Sequence, residues 1–493
     1  NRDEIHPEHR LNIRQVVFNW LMSNGQTSVL PTYIENNIAT VLIRCIKLDF
    51  PNEWPNAFRD ILALSKVHIV GFTIALRVLI ELDVEIVMFD DRRSSNEIVH
   101  NTLIKNTMRE QNILKEIVEF LCQSGTNIMQ SGGDSKLVKS CLHALSTMIG
   151  WVDVNLIVCK ETISWIYMCL RSPPLAAHAC DCLYELVKKG MDPVSKVSMI
   201  HSIELLPVIT QIPWNSSSNG NSSSNGSTNL VHEPEDTDTD TEDDDTYEEK
   251  LALLIDLMFQ EVLSCWYLYE EHVLHLVPAA PPKTSSPASS RSLSGGGRGG
   301  GGIAGSSSTA SSGEHDADIN TLISCNLGPI AGSMLHQCVP ILLTLLTNPD
   351  EAVYGTVIPS LSKLVSAYKQ QQSYETQLVE FSAANPNTQC FIASSYVVRK
   401  VDMLMCIYKA MQYDVDFSFD LNDEDDVDVI ETKKQVRKLF VNFCRASPDM
   451  CLQLVTSILV QQPQPLSEAP FAPLEATCRL LFAFGEGVSP ALH

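Results

Sequence analysis

Two short runs of cations are the first residues in this chain that could do chemistry. Lys105 and Arg109 stand one helical turn apart in NTLIKNTMREQNI, with Arg92 and Arg93 ahead of them and Lys115 behind. Lys433, Lys434, Arg437 and Lys438 form a second, tighter stripe. Cations repeating at a helical turn can meet successive phosphates of a nucleic-acid backbone, a contact set by charge and shape more than by base identity. Each run also has a purely structural reading. Arg109 could pair with Glu110 or Glu116 and brace the fold internally, and the second stripe could neutralise the acidic loop directly before it. Lys188 and Lys189 read as charges favoured at a helix C-terminus.

Other chemistry is poorly represented. No Ser sits in a GxSxG turn, and neither a phosphate-binding Gly-rich loop with its Lys nor an HExxH pair occurs, so the chain is not predicted to be an enzyme. The 15 cysteines are irregularly spaced among apolar residues with no CxxC pair, the pattern of free, buried thiols. Cys180 and Cys182 would point to different faces of a helix, and His272 and His275, read as one helix face, lack further ligands, so no metal and no cofactor are predicted.

The formal charge of -24 argues against a polyanionic partner until its distribution is considered. Residues 233–249 hold 11 Asp or Glu and residues 414–431 hold 9, with no Lys or Arg in either stretch. Without these, 39 acidic residues face 35 basic ones, so a nearly neutral body can carry a local basic surface. No run approaches the ~18 uninterrupted apolar residues of a membrane span, and the first residues are not an apolar signal core, so no membrane partner is predicted. The chain opens on Asn1 and closes at His493 directly after an apolar segment, which reads as a piece of a longer protein.

These residues must be positioned by helices. A 44% hydrophobic composition suffices for a core along most of 493 residues, too many for a single compact one. Leu137, Cys141, Leu145 and Met148 mark one helical stripe, with Val138, Leu142 and Ile149 beside it. Ala176, Ala179, Cys180, Leu183 and Val187 mark another. Breaks fall at Trp151-Val152-Asp153, Pro173-Pro174 and Gly190-Met191-Asp192-Pro193, where Asp can cap and Pro can open the next helix. Helix pairs recurring about every 40 residues predict an all-α, HEAT-repeat superhelical solenoid, a scaffold for wrapping a macromolecule. Two stretches, 215–249 and 278–316, lack the apolar residues to offset ordering entropy and are predicted to be disordered insertions. They leave 1–214 as N-terminal repeats, 250–277 as a helix or helical hairpin, and 317–493 as further repeats with the acidic loop 414–431.

Several segments resemble the tRNA exportins (exportin-T) of the importin-β superfamily. LDFPNEWPNAFRDIL at 48–62 is similar to the Pro-Trp-Pro-Phe turn-and-helix of the exportin N-terminal module. NTLIKNTMREQNI at 101–113, GWVDVNLI at 150–157 and ACDCLYELVKKGMDPVSKV at 179–197 follow in the family's order. YDVDFSFDLNDEDD at 413–426, then a basic helix and ASPDMCLQLV at 446–455, is a weaker match. The likeness runs from about residue 10 to the end; the two insertions and 317–400 depart from it.

The resemblance implies a carrier that binds mature tRNA together with the GTP form of the small GTPase Ran, passes the nuclear pore through contacts with its proteins, and shuttles between nucleus and cytoplasm. DNA is not an implied partner. Under it, Arg92, Arg93, Lys105, Arg109, Lys433, Lys434, Arg437 and Lys438 are candidates for tRNA phosphates, and the acidic Asp423, Glu424, Asp425 and Asp426 for a basic face of Ran. An exportin for another cargo, and a HEAT scaffold without RNA, remain alternatives.

Overall fold

The computed structural model describes residues 6–24, 30–88, 93–211, 246–275, 320–397, 402–414, 417, 419, 422–462 and 470–488. Among them the regular elements are helices and no strand occurs. The chain divides into two compact units, residues 1–190 with 212–254, and residues 191–211 with 255–493.

In the first unit the helices are α1 (Pro7–Asn24), α2 (Thr32–Asp49), α3 (Ala57–Leu64), α4 (Ile69–Leu82), α5 (Ser95–Glu110), α6 (Ile113–Gln130), α7 (Ser135–Ile149), α8 (Val154–Ile157), α9 (Lys160–Leu170) and α10 (Ala176–Lys188). The pairs α3/α4, α6/α7 and α9/α10 form hairpins that stack into two layers, α2, α4, α7 and α10 in one and α3, α6 and α9 in the other. The period near 40 residues holds from α7 to α10. It is stretched earlier because α5 is an extra helix, packed on α6 and on a π-helical turn at Asp83–Val87.

Burial follows the sequence pattern. On α7, Val138, Cys141, Leu142, Leu145, Met148 and Ile149 are buried, and Leu137 is half-buried. On α10 the stripe from Ala176 to Val187 is buried and Cys182 joins it, its thiol donating to the Leu142 carbonyl at 3.3 Å. Asp153 and Asp192 cap α8 and the helix after Gly190 through the Asn155 and Ser195 N–H groups, both as the breaks predict. Trp54 and Phe58 pack on different partners, Trp54 edge-on to Phe18 at 5.8 Å and Phe58 edge-on to Phe50 at 5.2 Å. The Phe50–Pro51 peptide is cis, and α3 opens at Ala57, beyond both prolines.

The second unit contains α11 (Pro193–Ser202), α12 (Leu205–Thr210) and most of α13 (Tyr247–His272), which begins in the first unit. It continues with α14 (Leu327–Leu346), α15 (Glu351–Thr356), α16 (Ile358–Gln371), α17 (Glu375–Ala384), α18 (Ser394–Val397), α19 (Asp402–Ala410), α20 (Glu424–Ala446), α21 (Pro448–Gln461) and α22 (Phe471–Gly487). Here α20 is central, packing on α16, α19, α21 and α22.

Two readings of the sequence need correction. Of the two readings of 250–277 the single helix holds, over Tyr247–His272, but it begins inside the stretch assigned to disorder: Thr246 and Glu249 close a reciprocal capping box, Thr246 N–H to Glu249 Oε2 at 2.9 Å and Glu249 N–H to Thr246 Oγ1 at 3.3 Å. The remainder of the two predicted insertions, 215–245 and 278–316, lies outside the described residues. His272 and His275 do not share a helix face, since the helix ends at His272 and His275 is left-handed at φ 55°. Helices α13 and α14 are long and apolar enough to cross a membrane by length and composition, although neither is an uninterrupted apolar run. Of their most apolar stretches 56% and 61% is buried inside the fold.

Candidate functional site

In the first unit the site builds from α5. Ser94 caps it through the Glu97 N–H, and Asn101, Ile104 and Met108 bury its inner face. That register leaves Lys105 half-buried and Arg109 exposed on the adjoining face. Lys105 has no hydrogen bond or ion pair among the described residues. Arg109 pairs with neither Glu110 nor Glu116; its guanidinium donates to Asn106 Oδ1 at 3.1 Å and to the Trp151 carbonyl at 3.3 Å. Glu116 is already held by Arg59, Nη2 to Oε1 at 2.8 Å, and that ion pair keeps its carboxyl below the ordinary range. Lys115 pairs loosely with Glu119 at 3.8 Å.

Lys189, read from sequence as a plain helix-end charge, belongs to the same place. Its ammonium donates to the carbonyls of Ile149 and Gly150 at 2.9 and 3.0 Å, next to the Trp151 carbonyl that Arg109 takes. Burial pulls the Lys189 ammonium below its ordinary value, Asp153 opposes that, and the Arg109 charge adds to it. Two cations from two other helices therefore cover the negative end of α7. Nothing in local spacing announces this, because residues 109, 151 and 189 meet only through stacking. Lys188 pairs with Glu185 at 3.0 Å.

Arg93 is engaged elsewhere. It donates to the Met88 and Val84 carbonyls, both at 2.6 Å, and so closes the π-helical turn, with Glu97 at 3.9 Å. Arg92 lies outside the described residues. The structure thus brings Lys105 and Arg109 together and directs Arg93 to the backbone.

In the second unit α20 distributes the other candidates. Its first turns carry the acidic ones, where the helix dipole favours negative charge. Asp423 and Glu424 are exposed, Asp426 is half-buried, and the Asp425 side chain is outside the described residues. The basic residues do not form one stripe. Lys433 turns inward, only 7% exposed, donating to the Ala410 carbonyl at 3.0 Å over the face of Tyr354 at 4.4 Å. Burial pulls its ammonium down to about 8, against the pull of Asp414. Lys434 pairs with Glu431 at 3.0 Å and Arg437 with Glu486 at 2.7 Å. Lys438 is exposed beside Arg437 at the edge of a cleft of about 570 Å³.

The residues that sequence reasoning missed line that cleft with Arg437 and Lys438: Asn442, Arg445 and Glu486. Arg445 could have been found, since Arg437, Val441 and Arg445 repeat at helical spacing. Glu486 could not, because it arrives from α22.

Among the described residues no group of His, Cys, Asp and Glu could hold a metal ion, and all 15 cysteines are free. The stacked helix pairs define a fold of the helical-repeat class. Sequence comparison narrows the class. Residues 31–183 match the Exportin 1-like protein family. Exportin-T of Danio rerio is 25% identical over 98% of this chain and 40% of its own length, and exportin-T of Homo sapiens is 24% identical with the same coverage. Exportin-T of Dictyostelium discoideum is 31% identical over 41% of this chain and 18% of its own length. The chain is therefore exportin-T-like along nearly its whole length, and it spans about 40% of the length of the vertebrate relatives it matches.

Proposed function

We propose that this chain is part of a nuclear export receptor that binds mature tRNA cooperatively with Ran-GTP and carries it through the nuclear pore, moving between nucleus and cytoplasm. The observation that carries the reading is the coincidence of the exportin-T likeness with Lys105 and Arg109. In one of the segments that resemble those proteins, two cations one turn apart stand without an ion pair among the described residues. Free cations on a helix are what backbone contact with a folded RNA requires.

Asp423, Glu424, Asp425 and Asp426 remain candidates for a basic face of Ran, on charge alone. The helical-repeat architecture suits contacts with pore proteins, and any GTP chemistry would belong to the partner.

Retention of the protein on immobilised, GTP-locked Ran tests the reading. Retention should rise when tRNA is added and fall when Ran is loaded with GDP. Retention indifferent to both tRNA and nucleotide would point to the scaffold alternative.

A further inference from the structure

The cleft on α20 has more in it than a charge patch. Arg437, Lys438 and Arg445 project along one edge of the helix, with Asn442 between them. Arg445 donates to Asn442 Oδ1 at 3.3 Å and Lys438 is exposed without an ion pair among the described residues. Across the cleft, Glu486 of α22 binds Arg437, so the cleft holds one carboxylate of its own where an anion would sit. One turn earlier on α22, Phe482 is 63% exposed and lies 5.6 Å from the Arg437 guanidinium. An exposed phenylalanine beside arginine, with further cations a turn away, is the pairing that contacts unpaired nucleotides, the ring taking a base face and the cations the phosphates. A rigid duplex would offer phosphates but no free base face.

We propose that this cleft seats a single-stranded ribonucleotide segment, its phosphates on Lys438, Arg445 and Arg437 and one unstacked base on Phe482. Occupation displaces Glu486 from Arg437, so Glu486 sets a threshold for binding. The proposal rests on the reading of the protein as an RNA carrier and adds a second contact, distinct from that of Lys105 and Arg109.

The test uses the whole protein and a fluorescein-labelled hexa-adenylate, with tRNA binding measured in parallel. Phe482→Ala should weaken hexamer binding by about fivefold to a hundredfold, the range of one lost base stack, and Phe482→Trp should restore it. Lys438→Gln with Arg445→Gln should shallow the slope of log affinity against log salt by about 1.4. Glu486→Gln should tighten binding several-fold, since it frees Arg437. A photoreactive 4-thiouridine placed in the hexamer should crosslink to the peptide containing Phe482.

Three outcomes would overturn the proposal: no hexamer binding, hexamer binding unmoved by these variants, or displacement by polyglutamate at matched charge concentration, which would make the cleft a docking site for an acidic protein segment. If hexamer binding fails while tRNA retention with Ran-GTP persists, this inference alone falls. If tRNA retention fails as well, the carrier reading falls with it.

Discussion

Arg59 holds Glu116 in a two-pronged ion pair, Nε to Oε2 at 2.9 Å and Nη2 to Oε1 at 2.8 Å, so Glu116 is not the partner of Arg109. With Glu116 taken, Arg109 meets only a side-chain amide and a backbone carbonyl, and keeps most of its donors for solvent or a ligand.

Changing Lys105 and Arg109 together to Gln should weaken tRNA binding in the presence of Ran-GTP and shallow its log affinity against log salt slope by about one to two. The fold should survive with a modest drop in melting temperature, because Arg109 is one of two cations on the α7 carbonyls. Filter binding at several salt concentrations, beside circular dichroism melts, checks both. An unchanged slope with a strongly lowered melt would assign the pair to bracing alone.

Lys433 makes stability depend on alkaline pH. Unfolded, it keeps its proton to the ordinary lysine range near 10.5; folded, it releases it near 8. Between these values the unfolded chain binds more protons, so this group's contribution to stability rises with pH, and it is flat below about 8. The span corresponds to on the order of 3 kcal/mol. Melts of the native protein and of Lys433→Met across pH 7 to 10.5 should show the native protein gaining on the variant through that window. A constant gap between the two would contradict the buried, charged lysine.

Glu270 on α13 is 1% exposed and forms no ion pair among the described residues. It accepts from Gln371 Nε2 at 2.6 Å and from the Tyr374 hydroxyl at 3.0 Å, and burial pushes its carboxyl above the ordinary range. Glu270→Ala strands the Tyr374 donor and should destabilise by about 2 kcal/mol or more, whereas Glu270→Gln should be tolerated. A raised folded value means that stability present under acid conditions is lost as pH rises from the ordinary glutamate range through that value. In Glu270→Gln that loss should vanish, as pH-dependent denaturation would show.

Gly332 on α14 is required by close approach. A Cβ there would run into the backbone carbonyl of Gln389, which cannot turn aside as a side chain could. Gly332→Ala should lower the melting temperature of the second unit clearly, while Gly485→Ala, with open space around it, should not. Equal effects at the two positions would refute the argument.

The sequence alone determined the helices near 136–149 and 176–187 and the breaks around them. The apolar stripes at 136–149 and 176–187, the Asp153 and Asp192 caps and the breaks between them are local properties, fixed by periodicity and by which residues satisfy a helix end. The likeness to exportin-T was legible for the same reason, being carried by contiguous segments such as 101–113. What the tertiary structure decided was the partner of each charge. Lys433 and Lys438 stand five residues apart on one helix, yet the first is sunk against Tyr354 and the second faces solvent. Arg109 and Lys189 meet on the end of α7, and Arg437 meets Glu486, across 80 and 49 residues of chain. An ion pair or a carbonyl cap is settled by which helices stack, and that depends on burial summed over whole helices, which no local spacing records.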